Sequence, residues 1–154
     1  MSFPQRISDL QYQWALGCRA FERCRSAEED GSDGDWIDAH LDAFACVHAL
    51  WSTFERLDPT QKAAVRAADT GGFIDVLANV ANGFKHPGLS RHAVADPGGG
   101  HGVTIRLGAG VRGSYHPHYD LHGTHVLSLD LTRNVVDLLV ENAGLPFPAD
   151  FMPD

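Results

Sequence analysis

Residues 36–57 read WIDAHLDAFACVHALWSTFERL, and this stretch decides the class of fold. Its apolar side chains recur at intervals of three and four residues, at Ile37, Leu41, Phe44, Val47, Trp51 and Phe54. This spacing is the period of an α-helix with one apolar face. We therefore predict a long helix over residues 35–57 that buries this face along its whole length.

Helical patterns continue on both sides of this stretch. Ser8 followed by Gln11 predicts a capping box at the first helix, and Asp58-Pro59-Thr60-Gln61 predicts the start of a third. The acidic run Glu28–Asp35 is predicted to be a loop, and Gly71-Gly72 is predicted to interrupt the later helices. The four N-terminal helices are predicted over about residues 5–25, 35–57, 59–70 and 73–86.

The pattern changes after His86-Pro87-Gly88, where nine of the sixteen glycines lie between Gly88 and Gly123. Short β-branched runs among these glycines predict an irregular β-ribbon over about residues 92–129, with a last strand at 126–129. A final helix is predicted over about residues 131–143, capped by Asp130 or Thr132 and closed by Gly144. The expected fold class is mainly α (α+β), a helical bundle with a glycine- and histidine-rich β-ribbon inserted before the C-terminal helix. The whole chain, residues 1–154, is expected to form a single domain.

Composition restricts the classes of function. The net charge of −8 argues against a protein that coats nucleic acid with a general basic surface. Residues 83–125 differ, because this stretch contains four basic and two acidic residues. If the chain binds an anionic ligand, we expect this region to bind it. Three cysteines without a CxxC pair indicate thiols in a reducing compartment. No apolar run reaches the roughly 18 residues of a membrane span, so we expect a cytoplasmic protein.

A polar stripe lies at the end of the fourth predicted helix. Asn79, Asn82 and His86 are spaced i, i+3 and i+7, with Lys85 adjacent, so they share one helix face. Such a stripe can hold an anion, and Arg91 follows closely enough to contribute to the same binding site. A stripe of this kind also occurs where amides and a histidine satisfy the carbonyls of a helix end.

The string Ala81-Asn82-Gly83-Phe84-Lys85-His86 resembles the AN-x-x-KH segment of HEPN-like helical proteins of bacteria and phages. HEPN domains are helical bundles, and the ribonucleases among them carry an arginine, often followed by asparagine, and then a histidine. The resemblance covers about residues 35–88 and matches Asn82 and His86. Ala81 stands where the catalytic arginine is found, so the resemblance implies an RNA-binding or degenerate ribonuclease module. In such a module His86 would serve as acid or base, Lys85 would partly replace the arginine, and Asn82 completes the catalytic candidates.

A second set of polar residues alternates near the end of the ribbon, namely His116, His118, Asp120 and His122. On a regular strand all four side chains project from one face, with Tyr119 on the other. Imidazoles and a carboxylate are ligands for zinc or a similar divalent metal, and His125 or His101 is available to complete the set. Pro117 instead favours an edge strand or a loop with irregular alternation. No other cofactor is indicated.

His40 and His48 lie on the helix over residues 35–57, at or near its predicted buried side, where they can approach Asn82 and His86. Histidines at such positions are also common as core residues with a satisfied ring nitrogen. We count both as candidate binding residues.

These features give three hypotheses of function, and they leave open whether the chain is an enzyme. The first is a HEPN-like RNA-binding or degenerate ribonuclease module of a bacterial or phage conflict system. The second is an acidic, non-catalytic inhibitor or interaction protein, phage-type, that binds a basic partner through carboxylates grouped in residues 28–42. The third is a metal-dependent hydrolase that uses the residues from His116 to His122. A homodimer is compatible with each of them, and none requires a membrane.

Overall fold

The computed structural model describes residues 8–30, 36–85, 96–106, 110–121 and 124–146. Within these residues the chain forms five helices and one three-stranded sheet. The elements are α1 (Asp9–Asp30), α2 (Trp36–Arg56), α3 (Pro59–Ala68), α4 (Phe73–Lys85), β1 (Asp96–Arg106), β2 (Gly110–Leu121), β3 (Thr124–Leu127) and α5 (Ser128–Ala143). This arrangement is a helical bundle with a β-ribbon before the last helix, as the sequence predicts.

Three of the predicted helix caps are confirmed. The Ser8 hydroxyl accepts the backbone N–H of Gln11, and the Gln11 side chain accepts the backbone N–H of Ser8. Asp58 and Gln61 form the same reciprocal pair at the start of α3. At the C-terminus of α5, Gly144 adopts the left-handed conformation that glycine favours, with a φ of 68°.

The break between α3 and α4 combines a glycine with a carboxylate. Gly72 has a φ of 71°, so the chain turns there at no steric cost. The Asp69 carboxylate accepts the backbone N–H groups of Phe73 and Ile74 at 2.9 and 2.8 Å, and thereby caps α4. The sequence predicts the interruption but not this cap.

The core is formed where α1 and α2 pack closely, with α4 and α5 covering the same apolar cluster. Gly17 permits the close approach, because a Cβ atom at this position would lie 3.0 Å from Cδ2 of Leu50. The Cys46 thiol points toward the Gly17 carbonyl, with Sγ and the oxygen 3.8 Å apart. Trp14 is buried beside them, and its Nε1–H donates to the Pro146 carbonyl at 2.9 Å.

The predicted buried face of α2 is wrong in its N-terminal half. Ile37, Leu41 and Phe44 are 46%, 60% and 43% exposed, although Val47 and Phe54 are buried as predicted. The residues that α2 buries also include small ones at a different angle around the helix, namely Ala43, Cys46 and Ala49. Small side chains let α2 approach α1 closely, so packing turns the larger apolar residues of the first two turns outward. We call Ile37, Leu41 and Phe44 the outer face of α2.

Several predicted boundaries are shifted. Helix α1 continues through residues 28–30, so the acidic run Glu28–Asp35 is not entirely a loop. Helix α5 begins at Ser128, and its N-cap Leu127 has no side-chain bond, so the predicted caps Asp130 and Thr132 are wrong. The Thr132 hydroxyl instead donates to the Ser128 carbonyl inside the helix. Strand β3 ends at Leu127 because α5 begins immediately after it.

The ribbon is antiparallel in the order β1-β2-β3, with Arg106 opposite Gly110 and Tyr119 opposite Val126. Strand β2 packs against the helices through Tyr119, which is 1% exposed. The phenolic oxygen of Tyr119 lies 3.2 Å from the hydroxyl oxygen of Ser128, at the start of α5. This buried contact connects β2 of the ribbon to α5 of the bundle. None of the helices in the part of the chain that the structure describes is long and apolar enough to cross a membrane.

Candidate functional site

Histidines from the helical bundle and from the ribbon come together on one side of the molecule. The ring of His118 on β2 lies edge-on to that of His125 on β3, with 5.0 Å between the ring centroids. His118 is also close enough to His40 on α2 to affect its titration. We call His40, His118 and His125 the histidine group. The consecutive strands β2 and β3 thus bring two imidazoles into ring contact, and α2 brings a third within electrostatic range of His118.

The sheet register explains the ribbon part of this group. His118 pairs with Leu127, so His125 is its diagonal neighbour two residues along β3. Diagonal neighbours on one face of an antiparallel pair are within reach of aromatic rings. Residues 116–119 lie within a continuous strand, with Tyr119 buried and both His116 and His118 partly exposed. His116, Pro117 and His118 are all partly exposed, so burial does not separate two faces at these residues, and the predicted alternation stays a prediction.

Burial and a neighbouring charge act on His40. Partial desolvation lowers the pKa of this imidazole from its ordinary value, and the positive charge of nearby His118 lowers the pKa further. At neutral pH the His40 ring is therefore uncharged and able to accept a proton. An imidazole held neutral beside a second imidazole is a suitable arrangement for acid–base chemistry.

His116 contributes to a cavity on the bundle side of the ribbon. The cavity measures about 50 Å³ and is lined by residues from α1, α2, β2, β3 and α5. These residues are Cys24, Ala27, Ala39, Asp42, His116, Pro117, Leu127, Leu129 and Asp130. Asp42 also accepts a hydrogen bond from Nε of Arg23 at 2.9 Å. The cavity thus combines a thiol, an imidazole and two carboxylates.

The predicted zinc ligands are only partly within the described residues. His116 and His118 are described, whereas the side chain of Asp120 and all of His122 lie outside those residues. Among the side chains that the structure does describe, no three of histidine, cysteine, aspartate and glutamate are placed to hold a metal ion. Zinc binding by the complete set His116, His118, Asp120 and His122 stays a prediction.

The polar stripe at the end of the fourth helix is described in part. Asn79 and Asn82 are half-buried on α4, next to fully buried Val80 and Ala81. The side chain of Lys85, and all of His86 and Arg91, lie outside the described residues. The predicted grouping of these residues with His40 therefore stays a prediction.

His48 faces a different surface from His40. It lines a groove between α1 and α2 together with Leu16, Arg19 and Ala45. Its ring lies 4.2 Å from that of Phe44, centroid to centroid, and its Nε2 atom is buried. The two candidate histidines of α2 thus belong to separate places.

The sequence predicts that His40 approaches α4, whereas its approach to the ribbon was not predicted. His40 lies seven residues before Val47 and fourteen before Phe54, on the same stripe of α2, so periodicity alone assigns it to the core. The contact itself depends on where the ribbon docks, which local sequence does not specify. The cavity beside Cys24 was also missed, since its lining comes from five elements.

A comparison of the chain with protein-family models, with curated proteins and with solved structures finds no match.

Proposed function

We propose that the chain is a HEPN-like RNA-binding or degenerate ribonuclease module of a cytoplasmic bacterial or phage conflict system, and that the histidine group contacts the RNA. The observation that carries this proposal is the ring contact of His118 with His125, together with the electrostatic effect of His118 on His40. Imidazoles can bond phosphate oxygens and can exchange protons with a ribose hydroxyl without a metal. The AN-x-x-KH segment supports the same class of protein.

These residues allow acid–base chemistry in which one imidazole acts as the base and another acts as the acid. His40 is kept neutral by burial and by His118, so it is suited to take a proton from a 2′-hydroxyl. A protonated imidazole nearby can then return a proton to the leaving oxygen. The resemblance places Ala81 where ribonucleases of the HEPN class carry the arginine that stabilises charge in the transition state, so we expect the module to bind RNA and to cleave it weakly.

The test uses a fluorescent single-stranded RNA of mixed sequence at low salt, with binding followed by anisotropy and cleavage by gel. His118→Gln and His40→Gln should each weaken binding about tenfold or lower cleavage by about 100-fold, the usual share of one acid or base. His48→Gln is the matched control, since it changes the same residue type on the same helix in a separate groove. We expect it to behave as wild type.

His86→Ala and Asn82→Ala test the family segment separately from the histidine group. Loss of RNA binding in these variants alone would move the site to the end of α4. Absence of RNA binding by the folded wild type would remove the proposed function altogether. Addition of zinc or of a chelator in the same assay separates metal-dependent hydrolysis from the metal-free chemistry, since only the former responds.

A second candidate function is favoured by the outer face of α2. Three large apolar side chains stand exposed there, and exposed Asp38 lies between Ile37 and Leu41. Exposed apolar residues beside carboxylates suit a basic protein partner, which the net charge of −8 would also attract. We propose that an acidic interaction protein would use this face to bind a nucleic-acid-binding protein.

The discriminating variant is Leu41→Asp, which removes the central apolar contact and adds one negative charge, so charge attraction alone would leave binding intact. A basic protein that wild type retains stoichiometrically at low salt should not be retained by Leu41→Asp. The same protein should be released from wild type at high salt. Retention of the same protein by Leu41→Asp would contradict the assignment. Sedimentation of purified wild type and of Leu41→Asp decides whether a second copy of the chain occupies the face instead, and a dimer that Leu41→Asp dissociates would exclude the basic partner from this face.

A further inference from the structure

The groove between α1 and α2 is a concave surface separate from the histidine group. It measures about 480 Å³, which lies within the range of about 300–1,000 Å³ that is typical of small-molecule sites. Its lining comes from these two helices alone and, among the described histidines, includes His48 but not the histidine group. Binding in this groove is therefore independent of the proposed binding of RNA.

The two helices run antiparallel, so the groove has two distinct ends. Gly17 of α1 lies opposite Leu50 of α2, whereas Arg23, later on α1, bonds to Asp42, earlier on α2. The α1 wall of the groove extends over residues 13–23, a length of about 15 Å at the helical rise of 1.5 Å per residue. The groove is therefore long and narrow, with different side chains at its two ends.

The floor and one end of the groove are apolar. Ala20 and Ala49 are buried where the helices meet, and Ala45 lies exposed beside them on α2. Leu16 is 44% exposed on the α1 wall, and Tyr12, one turn earlier, is 53% exposed. Alanine leaves a depth that larger side chains would fill, so a linear apolar group can lie along this floor and cover Leu16.

Basic residues line the other half of the groove. Arg19 and Arg23 follow Leu16 on the same face of α1, at intervals of three and four residues. Asp42, the acidic member of the lining, accepts a hydrogen bond from Nε of Arg23 and offsets one of the two positive charges. Guanidinium groups bind carboxylates through charge-assisted hydrogen bonds. This half therefore suits a ligand with one negative charge, although the chain as a whole has a net charge of −8.

We propose that the groove binds a single-chain fatty carboxylate, with its carboxylate at Arg19 and Arg23 and its alkyl chain along the alanine floor toward Leu16. The order of basic and apolar residues along α1 matches the order of head and tail in such a molecule. Removal of the alkyl chain and of Leu16 from water favours binding, and the guanidinium groups select an anion. A cation of the same chain length is disfavoured by the same groups.

The probe is dodecanoate, added to the full wild-type chain below its critical micelle concentration. Amide signals of the residues that line the groove should shift and saturate, and calorimetry should show binding about tenfold tighter than that of dodecyltrimethylammonium. Octanoate should bind about tenfold more weakly than dodecanoate, because each buried CH₂ group contributes up to about fourfold. Equal binding of the cationic analogue, shifts confined to residues outside the groove, or no binding below the micelle concentration would overturn the proposal.

Two variants at exposed positions test the two halves of the groove. Arg19→Glu should weaken dodecanoate binding about tenfold through loss of a charge-assisted contact, and Leu16→Ser should weaken dodecanoate more than octanoate. Arg133→Glu is the matched control, since it makes the same change of charge at an exposed position of α5 outside the groove. Unchanged affinity in folded Arg19→Glu, or an equal loss in Arg133→Glu, would contradict the assignment of the carboxylate.

Discussion

Tyr119 is the buried link between ribbon and bundle, so its replacement tests how the site is built. The side chain is 1% exposed, belongs to the core cluster and has its oxygen 3.2 Å from that of Ser128. Tyr119→Phe removes the hydroxyl and leaves the Ser128 hydroxyl without this contact, which costs about 1 kcal/mol. Tyr119→Ala also empties the space of a buried ring, which costs about 3–5 kcal/mol in a core that relaxes little.

The assay is urea unfolding followed by far-ultraviolet circular dichroism. We expect the midpoint to fall modestly for Tyr119→Phe and strongly for Tyr119→Ala, with Ser128→Ala reproducing the loss seen in Tyr119→Phe. The double variant Tyr119→Phe with Ser128→Ala should cost less than the sum of the two single variants, because both remove the same contact. Destabilisation by Tyr119→Ala of under about 1 kcal/mol would refute the buried anchor, since a surface aromatic costs little to remove.

Three further predictions concern separate parts of the fold. Because the pKa of His40 is lowered in the folded state, the folded chain binds this proton less readily than the unfolded chain. The contribution of neutral His40 to stability is therefore present above the unfolded pKa of about 6.5 and is lost as the pH falls below that value. Melting curves at pH 7.5 and pH 5 should therefore differ less for His40→Gln than for wild type, and an equal difference would contradict the assignment. Leu41→Asp on the outer face of α2 should change stability by about 0.5 kcal/mol or less, whereas Val47→Asp, which buries a charge, should prevent folding as judged by circular dichroism. Asp58→Ala should cost about 1 kcal/mol through loss of the α3 cap, and an unchanged urea midpoint would show that the cap contributes nothing.

Local signals in the sequence predicted the parts of the fold that depend on near neighbours. The Ser8–Gln11 and Asp58–Gln61 boxes, the break at Gly72 and the stop at Gly144 each involve residues within one helical turn. The presence of a helix and its two ends follow from such signals, because caps and periodicity act over a few residues. The order of helices and ribbon was therefore predicted correctly.

The direction in which α2 faces was not predictable in the same way. Its apolar residues form more than one possible stripe, and the choice between them depends on the close approach to Gly17 of α1. The larger side chains of the first two turns look more suited to a core than Ala43 and Cys46, yet the small ones are buried. Hydrophobicity alone ranks these positions incorrectly, because packing density depends on the neighbouring helix.

The candidate site depends on long-range contacts and was predicted only in its parts. The extended conformation around His116 and His118 was a local signal, and both residues lie in β2. The meeting of His118 with His40 requires the ribbon to dock on α2, and the cavity beside Cys24 requires five elements to converge. Tertiary packing of this kind leaves no short-range pattern in the sequence.

The most direct test of the account is a long-range proton–nitrogen spectrum of the histidine side chains, recorded while a short single-stranded RNA is added. The account predicts that the imidazole signals of His40, His118 and His125 shift together and saturate at one RNA concentration, while those of His48 stay in place. Signals of the histidine group that remain unmoved while RNA binds elsewhere on the chain would contradict it.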